Sequence, residues 1–130
     1  MIHSKSKTVE FMRGRIMAGQ GQGQYFISRE GYSCQFLQKL GFVPFPGTLN
    51  VLLEEPFPAG RKAIEIEGFS EGGKSFGGCK CYPIKLNEIQ AAVVRPERSR
   101  YPAELIEVIA PVRLRALGLD EGDSVEVIVF

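Results

Sequence analysis

The 130-residue sequence lacks several features that mark familiar protein classes. No apolar run approaches the roughly 20 residues that span a bilayer, so no membrane span is expected. Met1–Lys7 has no apolar stretch behind its positive charges, so it reads as a polar tail rather than a secretory signal. The formal net charge is only +1, which argues against a nucleic-acid binder relying on a strong basic footprint. There is a single histidine, His3, and only three cysteines, Cys34, Cys79 and Cys81. Zinc normally takes four ligands, so this supply argues for buried small hydrophobes at Cys79 and Cys81 rather than a metal centre. An odd cysteine count without an export signal predicts reduced thiols and a cytoplasmic protein. No repeat, linker or low-complexity stretch divides the chain. We therefore expect a tail over residues 1–7 and one domain over 8–130.

What is present is ordinary globular material, 44% hydrophobic and 24% charged, enough to bury one core. The pattern is mostly strands. Thr8–Ala18 predicts a strand leading into a glycine cluster, and Thr48–Leu53 predicts another after Pro44 and Pro46. Ala63–Phe69 and Ser75–Tyr82 read as hairpin partners about Glu71-Gly72-Gly73-Lys74. Further strands are expected at Gln90–Arg95, Leu105–Ile109 and Ser124–Phe130. Helical spacing of Tyr32, Phe36, Leu37 and Leu40 predicts a helix stopped by Gly41. A second short helix is expected from Pro111 through Leu117, closed by Gly118. Many short strands with two brief helices predict a mostly β fold closed into a barrel, since closure removes open sheet edges.

Two segments suggest phosphate chemistry. Gly19-Gln20-Gly21-Gln22-Gly23-Gln24 alternates glycine with glutamine between strand-like stretches. Glycine lets a phosphate approach the main chain, and successive N–H groups can form an anion-binding concavity without lysine. The segment lacks the spacing of a dinucleotide fingerprint and the terminal Gly-Lys-Ser/Thr of a Walker loop. A plain hairpin loop is the alternative.

The second segment is Phe45-Pro46-Gly47-Thr48-Leu49-Asn50-Val51. After the Pro46-Gly47 turn, Thr48 and Asn50 stand two apart on a strand and share one face. A hydroxyl and an amide carbonyl are neutral oxygen ligands. Mg²⁺ accepts such ligands when substrate phosphates and water complete its shell. The alternative use of both residues is to satisfy backbone groups beside the turn.

Together these segments resemble the archaeal CTP-dependent riboflavin kinases, over about Val9 to Val129. The likeness runs through Gly19–Ser28, Leu40–Asn50, Lys80–Lys85 and Glu104–Arg115 in order. It implies a six-stranded cradle-loop barrel and transfer of the CTP γ-phosphate to riboflavin, giving FMN and CDP. It also implies that Gly19, Gln20, Gly21, Gln22, Gly23 and Gln24 cradle the nucleotide phosphates, with Val112, Arg113, Leu114 and Arg115 as a second nucleotide-contacting segment. Thr48 and Asn50 would hold Mg²⁺. Ser99, where relatives more often carry threonine, and Glu107 match flavin-contacting positions. Glu107 is the candidate catalytic residue, with Glu104 its neighbouring competitor. The expected partners are CTP/CDP and riboflavin/FMN, with no nucleic acid, no membrane and a monomeric state.

Two other readings stand beside this one. Leu114–Val127 also resembles the helix-turn-strand unit of AbrB-type DNA-binding regulators, which the near-neutral charge disfavours. A flavin-binding protein without catalysis is the other.

Overall fold

The computed structural model describes residues 9–18, 27, 29–96 and 102–130. Among the described residues nine strands and the helix α1 follow in order: β1 Glu10–Met17, α1 Glu30–Leu40, β2 Leu49–Leu53, β3 Ile64–Ile66, β4 Phe69–Glu71, β5 Lys74–Phe76, β6 Cys79–Leu86, β7 Ile89–Pro96, β8 Leu105–Ile109 and β9 Ser124–Val129. A single 3₁₀ turn, Leu114–Leu117, precedes β9.

Six strands close into an antiparallel barrel in the order β1, β2, β8, β7, β6, β9, because β9 pairs with both β1 and β6. β3 pairs with the N-terminal half of β6, on the edge whose C-terminal half pairs with β9, and β4–β5 form a separate hairpin. Period-two alternation sorts the side chains. Leu49, Val51 and Leu53 of β2, Val93 of β7, Ile106 and Val108 of β8, and Val125, Val127 and Val129 of β9 fill the interior. Gly14 allows β1 to lie tightly on β2, since a Cβ there would meet Val51 Cγ1 at 2.6 Å and the Leu52 carbonyl at 2.9 Å.

A second core lies outside the barrel. Tyr32 and Phe36, one turn apart on α1, cover the outward residues Ile66, Cys79, Cys81, Ala92, Val94 and Ile109. Both Cys79 and Cys81 are buried, and no disulfide joins them. A hydrogen bond with Cys79, followed by burial, pushes the Cys81 thiol pKa far up, so it serves as a small apolar side chain. Gly41 ends α1 in the left-handed region (φ 87°) and donates to the Leu37 carbonyl at 3.1 Å, as its sequence position predicts.

Two expectations need correction. Ser75–Tyr82 is not one strand: it breaks at Gly77-Gly78, where β5 pairs only with β4 and β6 turns to pair with β3 and β7. Gly68 marks the crossing, since a Cβ there would run into the Phe76 carbonyl. The second helix does not begin at Pro111. Arg113 is still extended (φ −74°, ψ 106°), and only one 3₁₀ turn follows before Gly118 takes the left-handed conformation.

Candidate functional site

The C-terminal end of β1, the N-terminal end of β2 and the C-terminal end of β8 meet at one end of the barrel. Antiparallel order alone brings them there, through the pairs Met17↔Asn50 and Asn50↔Glu107. Thr48 stands half-buried just before β2. Gly47 precedes it at φ 131°, a conformation that favours glycine, so the Pro46-Gly47 turn sets the approach to the strand. Asn50 is 8% exposed and is the one strongly polar residue buried among those described. Its Nδ2 donates to the carbonyl of Ala18 in a long contact of 3.5 Å. Ala18 is the residue immediately before Gly19–Gln24.

Because Leu49 and Val51 point into the barrel, Asn50 points out, and Glu107 points out beside it for the same reason. The row continues across the sheet: Met17, Asn50, Glu107, Val94, Cys81 and Ile64 are successive cross-strand partners. Glu107 is half-buried. Desolvation raises its carboxyl pKa above the usual range, and the positive charge of Arg95 opposes the rise. Glu104 lies before β8, and its backbone carbonyl accepts from the Leu53 amide at 2.7 Å. Register therefore places Glu107, and not Glu104, opposite Asn50.

The segment Val112–Arg115 follows β8 at the same end. The Phe45 amide donates to the Ala110 carbonyl at 2.8 Å, tying the turn before Thr48 to the start of this segment. Leu114 is buried in the barrel core, so only its backbone is available to a ligand, while Val112, Arg113 and Arg115 are exposed. Leu114 thus anchors a short stretch whose two guanidiniums reach outward. Gly19, Gln20, Gly21, Gln22, Gly23, Gln24 and Ser99 lie outside the described residues.

Among the described residues no cluster of three or more histidine, cysteine, aspartate or glutamate side chains is present to hold a metal. The neutral oxygens of Thr48 and Asn50, with one carboxylate across the ladder, fit a hard cation whose remaining ligands come from phosphate and water. A groove of about 380 Å³ lies at the opposite end of the barrel, lined in part by Glu10, Glu54, Glu55 and Glu126. Its carboxylates disfavour a triphosphate.

Sequence reasoning missed Ala18, Met17 and Arg95 as neighbours of the site. None carries a motif; Met17 is placed by strand register, Ala18 by its contact with Asn50, and Arg95 by its charge acting on Glu107.

A family model, CTP-dep_RFKase, described as a domain of unknown function (DUF120), matches residues 16–129. The riboflavin kinase of Methanocella arvoryzae is 56% identical over 118 residues, covering 89% of this chain and 55% of the relative. That of Methanosarcina acetivorans is 51% identical over 131 residues, covering 95% and 55%. That of Ignicoccus hospitalis is 44% identical over 127 residues, covering 92% and 70%. The chain thus spans a little over half the length of the first two relatives. No helix among the described residues is long and apolar enough to cross a membrane.

Proposed function

The chain belongs to the CTP-dependent riboflavin kinase family, and from that premise we propose that it transfers the γ-phosphate of CTP to the 5′-hydroxyl of riboflavin, giving FMN and CDP. The observation that carries this reading is the placement of Asn50 and Glu107 as direct cross-strand partners. They stand at the barrel end that also bears Ala18 and Arg113.

Phosphoryl transfer asks for positioning and charge neutralisation more than covalent chemistry. Backbone amides of Gly19–Gln24 cradle the nucleotide phosphates, and Arg113 and Arg115 present positive charge to them. Thr48 and Asn50 hold Mg²⁺, which when bound offsets the negative charge of the triphosphate. Ser99 contacts the flavin. Glu107 accepts a hydrogen bond from the riboflavin 5′-hydroxyl and takes its proton as that oxygen bonds to the γ-phosphorus. The bond from the γ-phosphorus to the bridging oxygen breaks, and CDP leaves with that oxygen. A carboxylate whose pKa is raised by burial is a better proton acceptor than an exposed one, which suits this role. The exocyclic amine and ring acceptors of cytosine distinguish it from uracil, and backbone groups suffice to read them.

Incubating this chain with riboflavin, Mg²⁺ and each of the four nucleoside triphosphates tests the reading. FMN formed preferentially from CTP is expected. Retention of riboflavin without turnover overturns it in favour of a carrier. Salt-sensitive DNA binding alone overturns it in favour of a regulator.

A further inference from the structure

The outer face of β1 and β9, at the barrel end away from Asn50, carries an apolar patch in register. Phe11 pairs with Ile128, and the next pair, Glu10↔Val129, sets Val9 beside Phe130 one step further out. These four side chains point outward by alternation with Met12 and Ile16 of β1 and Val127 and Val129 of β9, which pack inward. Phe11 is 78% exposed, Val9 and Phe130 are exposed, and Ile128 is half-buried. A lone exposed aromatic needs no explanation, but a contiguous apolar patch on one sheet face does.

Charges of both signs border the patch. One step along the strands Arg13 is the cross-strand partner of Glu126, and on the β2 side the Glu54 amide donates to the Arg13 carbonyl at 2.9 Å. On the β6 side Lys85 is the partner of Ile128. All four charged side chains are exposed, and among the described residues none of them belongs to an ion pair.

We propose that this face is a contact between two copies of the chain, related by a two-fold axis running parallel to the strands between β1 and β9. Such an axis exchanges β1 with β9 and β2 with β6. Phe11 then packs on the partner's Ile128, and Val9 on the partner's Phe130. Arg13 meets the partner's Glu126, and Lys85 reaches the partner's Glu54. Every contact occurs twice, and each charge meets one of opposite sign. An axis perpendicular to the strands fails, since it sets Arg13 over the partner's Val9 or over the partner's Arg13. Lys85 of one copy enters the other's groove of about 380 Å³, whose wall includes Phe11, Glu54, Glu55 and Glu126. The cleft that disfavours a triphosphate accepts an ammonium group. Apolar contact supplies the affinity, and the charged pairs at its rim set the register. The same carboxylates make the face a poor match for an anionic lipid surface. Phe11 lies six residues from Met17 on β1, about 20 Å, so both copies keep the end with Asn50 and Glu107 open. This contact is independent of the kinase reading and replaces the monomeric state expected from the sequence.

Sedimentation velocity of the whole chain over a concentration series tests it, with Leu37→Ser, Phe11→Ser, Arg13→Glu and Glu126→Arg beside the wild type. The wild type and Leu37→Ser, which alters an exposed leucine on α1 outside this face, are expected to form dimers that dissociate on dilution. Phe11→Ser weakens association about 100-fold, about tenfold for each of the two rings withdrawn from the contact. Arg13→Glu and Glu126→Arg are each expected to be monomeric, because the axis then opposes like charges. An equimolar mixture of those two variants is expected to form heterodimers, in which every opposed pair regains opposite sign. A wild-type chain that stays monomeric up to about 0.1 mM overturns the proposal, whether the face then captures phosphatidylcholine vesicles or stays bare. A dimer unaffected by Phe11→Ser, or charge variants that do not recover a dimer on mixing, overturns this face as the contact.

Discussion

The outer face of the barrel is divided between two regions that share strands and even one cross-strand row. Under α1, the row presents Val94 and Cys81 to Tyr32 and Phe36, and nearly everything there is buried. Beyond Glu107, the same row presents Asn50 and Met17, and no helix among the described residues covers them. The pairing geometry is identical on the two sides; what differs is side-chain chemistry and cover. On the covered side the helix completes a core and contributes stability. On the open side, where no described helix packs, the row carries a polar pair, buried Asn50 and half-buried Glu107, beside exposed Met17.

Four substitutions break or sharpen this contrast. The largest effect is expected on the covered side. Phe36 is 2% exposed, so Phe36→Ala should cost about 3–5 kcal/mol in urea unfolding through the cavity it leaves. A midpoint equal to that of the wild type would mean that α1 does not seal a core.

On the open side, Asn50→Leu should lower Mg²⁺-dependent FMN formation about 100-fold or more, the scale of losing a group that stabilises developing charge. Its melting curve should stay close to that of the wild type, because leucine is close to asparagine in size and the hydrogen bond lost, to the Ala18 carbonyl, is long at 3.5 Å. Wild-type turnover in this variant removes Asn50 from the site.

The smallest effect is a pH dependence at the boundary. Burial raises the Glu107 pKa, so the folded protein keeps that proton to higher pH than the unfolded chain does. The favourable contribution is complete at acid pH and is lost as pH rises through the raised value. Glu107→Gln has no such loss, so it should gain stability relative to the wild type between acid and neutral pH. Urea midpoints of the two proteins over that range give the difference, and a constant gap would contradict burial as the cause. Turnover should fall in Glu107→Gln and persist in Glu104→Gln.

The strand pattern and its closure were legible because alternation reports which side of a sheet is buried, as in Ser124–Val129 and Leu105–Ile109. The helix over Tyr32–Leu40 was legible for the matching reason, together with Gly41. The break at Gly77-Gly78 was hidden because a strand that changes partners keeps its own local pattern. The spacing of Thr48 and Asn50 after a turn made them candidates, with backbone satisfaction as the alternative use. That Asn50 faces Glu107, and that Ala18 and Met17 adjoin them, follows from pairings between segments far apart in the chain. No local feature of either segment encodes that register. Likewise Leu114 looked like a member of a ligand-contacting run, whereas only the closed barrel reveals it as a core residue.

The single row from Met17 to Ile64 also limits how the length of this chain can change. Side chains alternate with a period of two, so deleting one residue within β2 ahead of Asn50 would turn its amide into the barrel interior and expel a leucine or valine outward. The same deletion in β8 would bury Glu107 among aliphatic side chains. Each strand therefore acts as a counted ruler, and tolerated insertions and deletions must fall in the turns between them. Related chains should differ in loop length while keeping the residue count from Thr48 to Leu53 and from Leu105 to Ile109 fixed.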